Sequence, residues 1–144
     1  KIGKAIVSLY ANVEGKRTKM GDMEFRVKKV PPPEPSIKFS TEVNGEIFID
    51  KTKMQTAGGI SALMDDFDFK GIRYVITSYK LTGTYKGEQQ SDLAKNPGFT
   101  SKMIQIIKNT KAGNMITISQ IKARRVDAKN TGIENLDPLI LNIK

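Results

Sequence analysis

The sequence contains neither cysteine nor histidine in its 144 residues. The chain therefore has no thiol or imidazole nucleophile, no histidine general base, and none of the usual ligands for zinc, copper or haem. Catalysis would depend on Asp, Glu, Lys, Ser or Tyr alone, so we expect no cofactor, no metal and no enzymatic activity. No apolar run approaches the roughly 20 residues that span a bilayer. Because the chain begins with Lys1 and shows no signal-like core, we expect it to be a piece of a longer protein.

Positive charge is in excess. Lys and Arg total 24 against 15 Asp and Glu, which gives a net charge of +9 and an isoelectric point near 9.7. Such a surface attracts nucleic acid, anionic membranes or acidic proteins, although charge also simply maintains solubility. Solubility or an acidic protein partner is the interpretation we prefer, because aromatic residues are too thinly spread among the basic ones for base stacking.

The first third of the chain predicts a β-hairpin followed by a proline break. Residues 4–14 and 23–27 alternate apolar and polar side chains, as half-buried strands do. Residues 15–22 carry turn chemistry and are predicted to be a long basic loop. The segment PPPEP at 31–35 is expected to be a stiff linker, because proline favours extended geometry and lacks a backbone donor.

The remainder predicts a mainly β or α+β sandwich with one main helix. Two strands joined by a tight turn at Asn44-Gly45 are predicted within 42–50, and further strands at 69–86, 114–126 and 139–144. A polar loop is predicted at 87–98 and a turn-rich loop at 128–138. Residues 75, 77, 79 and 81 are expected on one face of their strand, and 114–126 is expected to be central with apolar residues on both faces. The main helix is predicted at 100–112, with Thr100 as a plausible N-cap and Gly113 as a terminating glycine. A short helix is expected within 55–66, despite its two glycines.

Several groups of residues raise the question of chemistry. Asp65, Asp66 and Asp68 suggest a cation site, but their spacing does not match a calcium loop and phenylalanines interleave with them. Gly58-Gly59 lacks the surrounding motif of a phosphate loop. Acid pairs such as Asp92 with Asp127, or Glu46 with Asp50, have no sequence feature that brings them together.

The strongest candidate for a binding surface is the basic cluster Lys122, Arg124 and Arg125. By the period of two, Lys122 and Arg124 point to one face of their strand and Arg125 to the other. If Arg125 is buried it needs a carboxylate, and Asp127 lies on the same face. A solvated strand face is the alternative explanation for all three charges.

Four stretches of the chain resemble the GldM/PorM family, the motor-shaft proteins of gliding motility and type IX secretion in Bacteroidota. They are MGDMEFRVKKVPPPEP (20–35), QTAGGISALMDDFDFKGIRYVITSYKLT (55–82), FTSKMIQIIKNTKAGNMITISQIKARR (99–125) and LDPLILNIK (136–144). The resemblance covers nearly the whole chain and carries no catalytic motif. Two features depart from the family pattern: the linker is richer in proline, and the first part of the preceding domain is missing.

The resemblance implies a periplasmic assembly and force-transmitting module from a protein anchored in the inner membrane. Residues 1–30 would be the closing hairpin of a preceding immunoglobulin-like domain, 31–35 a linker, and 36–144 an immunoglobulin-like terminal domain. This distal end would contact an outer-membrane-associated ring lipoprotein and its companion, and the stalk would be a homodimer. The inner-membrane motor partner would be reached only through the missing N-terminal part. The competing hypotheses are a basic nucleic-acid-binding domain and a hydrolase using Asp and Lys residues.

Overall fold

The computed structural model describes residues 3–27, 30–64, 71–127 and 132–144. These residues form two compact units, Lys1–Pro31 and Pro32–Lys144. The described elements are β1 (Gly3–Val13), β2 (Lys16–Val27), β3 (Glu34–Ser36), β4 (Thr41–Val43), β5 (Glu46–Ile49), α1 (Lys51–Ala57), β6 (Ser61–Leu63), β7 (Tyr74–Tyr85), β8 (Glu88–Ala94), α2 (Ser101–Asn109), β9 (Met115–Arg125), β10 (Ile133–Leu136) and β11 (Leu139–Ile143).

The first unit is the predicted hairpin, but the long loop predicted at 15–22 is wrong. β1 and β2 are joined by a two-residue turn, Glu14-Gly15, with φ of 50° and 78°. Two positive φ values are what a tight hairpin turn requires, because they match the twist of the strands. β2 then continues through the polar residues, with a bulge opposite Leu9 and Tyr10. Turn-forming residue types here belong to an exposed strand.

The hairpin has one polar and one apolar face. On the polar face Lys4 pairs with Glu24 at 2.7 Å and Lys19 with Asp22 at 2.6 Å, both exposed and therefore of small net benefit. Cross-strand pairing places most of the aliphatic and aromatic side chains together on the other face: Ala5, Val7, Leu9, Val13, Met23, Phe25 and Val27. Their large members are exposed, so the hairpin carries an apolar surface of the kind that proteins usually cover.

The second unit is built on one large sheet with the strand order β4-β5-β11-β9-β7-β8. β9 is central, as predicted, because β7 pairs along one side of it while β10 and β11 share the other. Pro138 lies between β10 and β11 and has no backbone N–H to donate. It therefore suits the gap between these two strands, where pairing with β9 is interrupted. β10 lies inside the segment predicted to be a loop, so that part of the prediction is wrong.

The main helix is confirmed over Ser101–Asn109. The Thr100 hydroxyl accepts a 3.1 Å hydrogen bond from the Met103 amide, as an N-cap does. The predicted end is different, because the helix stops at Thr110 and not at Gly113. The buried Thr110 donates from both its amide and its hydroxyl to the Ile106 carbonyl, which satisfies that orphan group.

The short helix lies earlier than predicted. α1 begins after Asp50, whose carboxylate accepts from the Thr52 and Lys53 amides at 2.8 and 3.1 Å. It ends at Gly58, which has the left-handed φ of 71° that glycine adopts without a Cβ clash. Residues 61–63, predicted as helix, form β6 instead and pair with β3.

The predicted loop at 87–98 is also wrong, because Glu88–Ala94 is an edge strand paired with β7. A two-residue turn at Lys86-Gly87, with φ of 52° and 83°, connects the two strands. β8 has a sheet neighbour on one side only, and polar residues are common on such edge strands. Its polar residues therefore did not indicate a strand.

The core lies between one face of the large sheet and a second layer made of α1, α2 and the small β3–β6 sheet. Gly83 allows α2 to approach β7 closely, since a Cβ at this position would stand 2.6 Å from Ile106 Cγ2. Tyr79 is fully buried, and its hydroxyl donates to the Gly98 carbonyl at 2.9 Å. The fold is mainly β and β-sandwich-like, as the sequence predicted. β3 includes Glu34 and Pro35, so the end of the proline-rich segment forms part of the second layer.

Candidate docking face

A β-bulge in β9 determines where the predicted basic cluster points. Ile116, Ile118, Ile121 and Ala123 are all fully buried, which requires a step of three residues between Ile118 and Ile121. The extra residue is Gln120, which has a φ of 52°. The four buried apolar side chains of β9 therefore share one face, and of the apolar residues of β9 only the exposed Met115 lies on the other face.

The bulge turns Lys122 and Arg124 toward solvent. Uninterrupted alternation from Ile116 and Ile118 would place residues 122 and 124 on the core face. With one residue inserted, both side chains lie opposite the core and are exposed. Bulges commonly re-aim side chains in this way.

A second bulge in β7 keeps the two strands paired. Pairing shifts on either side of Ser78, so β7 carries its own extra residue at Thr77. Ile76 and Tyr79 are consequently both buried, and the expected grouping of 75, 77, 79 and 81 on one face is wrong. Lys80 comes to lie on the same face as Lys122.

We call the side of the large sheet opposite α1 and α2 the open face. At one end of it, directly paired residues of β8, β7, β9 and β10 form a continuous patch. We call this patch the basic half; it consists of Val75, Ser78, Lys80, Leu93, Ser119, Lys122, Arg124, Ile133 and Asn135. None of these nine residues is buried.

The basic half combines charge with exposed aliphatic side chains. It carries the three cations Lys80, Lys122 and Arg124 and, among these described residues, no carboxylate. Val75 and Ile133 flank Arg124 on the neighbouring strands, and Leu93 pairs beside Lys80. These aliphatic side chains are 41%, 59% and 50% exposed, so the patch offers apolar contact area as well as charge.

Arg125 lies on the other face, as predicted, and Asp127 is its partner. The Arg125 guanidinium donates to both carboxylate oxygens of Asp127, and the Arg73 amide donates to the same carboxylate at 3.2 Å. The hydrogen bonds from Arg125 first, and from the backbone second, lower the pKa of Asp127 to about 2. Desolvation raises the pKa of the adjacent Tyr74. The three predicted basic residues thus lie in two different environments. Lys122 and Arg124 are exposed on one face, and Arg125 is paired with Asp127 on the other.

Residues 31–144 match the family model described as the GldM C-terminal domain. The chain belongs to this family. The match covers the whole second unit together with Pro31, and it confirms the family that the sequence resembles. No curated protein sequence matches the chain. Membership associates the chain with gliding motility and type IX secretion.

The other sequence candidates have structural roles in this GldM C-terminal domain. Gly59 stands against Pro97 and Gly98 in an isolated β-bridge and does not form an anion cradle. Asp50 caps α1, while Asp92 accepts a hydrogen bond from Thr100. The aspartates at 65, 66 and 68 lie outside the described residues. Within the described ranges no group of three metal-ligating side chains comes together, and no helix there is long and apolar enough to cross a membrane.

Sequence reasoning missed Lys80 and the aliphatic members of the basic half. The available signal was the spacing of the isoleucines at 116, 118 and 121, whose three-residue step marks a bulge. The bulge in β7 had a weaker signal, because Thr77 suits either face of a strand.

Proposed function

We propose that the chain is a non-catalytic assembly module of the gliding and type IX secretion machinery. It acts in the periplasm as the distal end of a shaft anchored in the inner membrane. Its open face docks on the outer-membrane-associated ring, made of a lipoprotein and its companion, and passes force to it. Family membership supports the setting, and the exposed Lys122 and Arg124 on an uncovered sheet face carry the docking role.

The hydrogen bonding of β11 supports a force-bearing role. β11 is held between β5 and β9, parallel to the first and antiparallel to the second. Beyond the ladders, Ile143 donates to the Asn114 carbonyl at 3.0 Å and Lys144 to the Ile49 carbonyl at 3.0 Å, while Gly113 donates to Ile143 at 2.8 Å. Pulling β11 along its length would have to break these hydrogen bonds together. Such an arrangement transmits tension without unravelling.

The apolar hairpin face supports a second contact, with another copy of the chain. An isolated two-stranded hairpin is marginally stable in water, and its free edges are templates for pairing. We propose that it contributes to a homodimeric stalk, whose link to the inner-membrane motor partner runs through the N-terminal part of the full protein.

The docking role is tested by the rate of association between the chain and the purified ring lipoprotein with its companion. Charge reversal at both Lys122 and Arg124 should slow association at low salt, with the loss shrinking as salt screens the charges. The matched control reverses Lys53 and Lys102, which are exposed on the helical side and change the net charge equally. An unchanged rate in a folded Lys122/Arg124 variant, or no binding by the unmodified chain, would refute the proposal.

A further inference from the structure

Resting on the proposed function, we propose that the basic half of the open face recognises an acidic protein surface, with Lys80 as a third binding cation. The three cations come from two adjacent strands. Lys122 is paired with Ser78, Arg124 with Val75, and Lys80 with Ser119 on the same face. The side chains directly opposite them are hydroxyls, aliphatic groups and the Asn135 amide, so no anion within this patch neutralises their charge.

The sheet fixes the backbone positions from which the three cations project. Both bulges lie between them, and the buried Ile121 and Tyr79 anchor the two strands at that level. The Thr77 hydroxyl also donates to the Lys122 carbonyl at 3.1 Å, across the bulge. A partner therefore meets charges attached to a rigid backbone, which lowers the entropy lost when the contact forms.

The aliphatic residues indicate a protein partner in preference to nucleic acid. Val75, Leu93 and Ile133 lie around the cations, where they can contact apolar side chains of a partner. Phosphate backbones offer no such apolar complement, and single strands are gripped by aromatic stacking. The basic half has no aromatic residue among its nine members. Its exposed cations and aliphatic side chains suit a protein surface with acidic residues around apolar ones.

The test neutralises Lys80, Lys122 and Arg124 to glutamine in the full chain. The matched control neutralises Lys53, Lys102 and Lys111, which are exposed on or next to the helices and lower the net charge equally. Two probes are used, the purified ring components and polyglutamate, with amide NMR shifts locating where polyglutamate binds. Three exposed ion pairs, each contributing about twofold, predict a loss of about tenfold in affinity at low salt.

The expected result is that only the open-face variant loses affinity, that Lys80→Gln alone loses about twofold, and that polyglutamate shifts β7 and β9 amides. Equal losses in both triple variants would reduce the effect to net charge and overturn the proposal. So would full ring binding by the open-face variant, which would place the ring contact on another face of the chain. If the ring components fail to bind but polyglutamate occupies the open face, the proposed function falls while acidic recognition stands. Failure of both probes, or stronger binding there of duplex DNA or anionic vesicles, overturns the inference.

Discussion

Replacing Gly59 with alanine should destabilise the terminal unit severely. The added Cβ would lie 2.1 Å from the Pro97 carbonyl oxygen and 2.9 Å from Gly98 Cα, both of which are backbone atoms. Side-chain rotation cannot relieve this contact, so the two backbone segments must separate. Separation would stretch the hydrogen bonds from Ile60 to Pro97 at 3.0 Å and from Phe99 to Gly58 at 2.9 Å.

The expected loss of stability has two parts, the steric clash and the weakened hydrogen bonds. Overpacking of a closely packed site costs about 1–3 kcal/mol. Two weakened hydrogen bonds add roughly 1 kcal/mol each. The free energy of unfolding should therefore fall by about 3–5 kcal/mol. For a unit of this size the midpoint of thermal unfolding should fall by more than about 10 °C.

Gly98→Ala is the matched control, because it adds the same methyl group to the other side of the same bridge. That Cβ would stand 3.3 Å from the Asn96 side-chain oxygen and 3.6 Å from the Gly58 carbonyl. The asparagine can move by a few tenths of an ångström, so the cost should stay below about 1 kcal/mol. Urea unfolding followed by circular dichroism measures both variants. Similar unfolding free energies for the two variants would refute the close-approach argument.

Three further predictions concern the helix contact, an ion pair and the hairpin. Gly83→Ala should cost about 1–3 kcal/mol, and combining it with Ile106→Ala should cost less than the sum of the single changes; additivity in urea unfolding would contradict the contact. Since the pKa of Asp127 is lowered to about 2 from 3.8, its ion pair should stabilise the fold above about pH 4 and lose that effect as pH falls through 2. The unfolding difference between wild type and Asp127→Asn should shrink over that window, and a constant difference would contradict this. Light scattering should find the full chain dimeric and residues 32–144 folded and monomeric; equal monomeric masses would exclude dimerisation through the hairpin.

Local patterns were sufficient for the elements whose signals lie within a few residues of sequence. The Thr100 cap and the apolar stripe that follows it predicted α2, because capping and helical periodicity are properties of one segment. The pairing of Arg125 with Asp127 followed from the period of two, since no bulge separates them. The resemblance to the GldM family likewise needed only the residues.

Contacts between distant segments decided the rest. β8 is a strand because β7 offers it a pairing edge, although its own residues are polar. The insertion at Gln120 depends on the match between two strands, and it alone places Lys122 and Arg124 in solvent. Gly59 is required by the backbone of residues 97 and 98, which lie far away in sequence. The sequence by itself determined the family, the β-rich class and the main helix. Only the tertiary structure decided that Lys80, Lys122 and Arg124 share the open face, because a single inserted residue reverses the alternation beyond it.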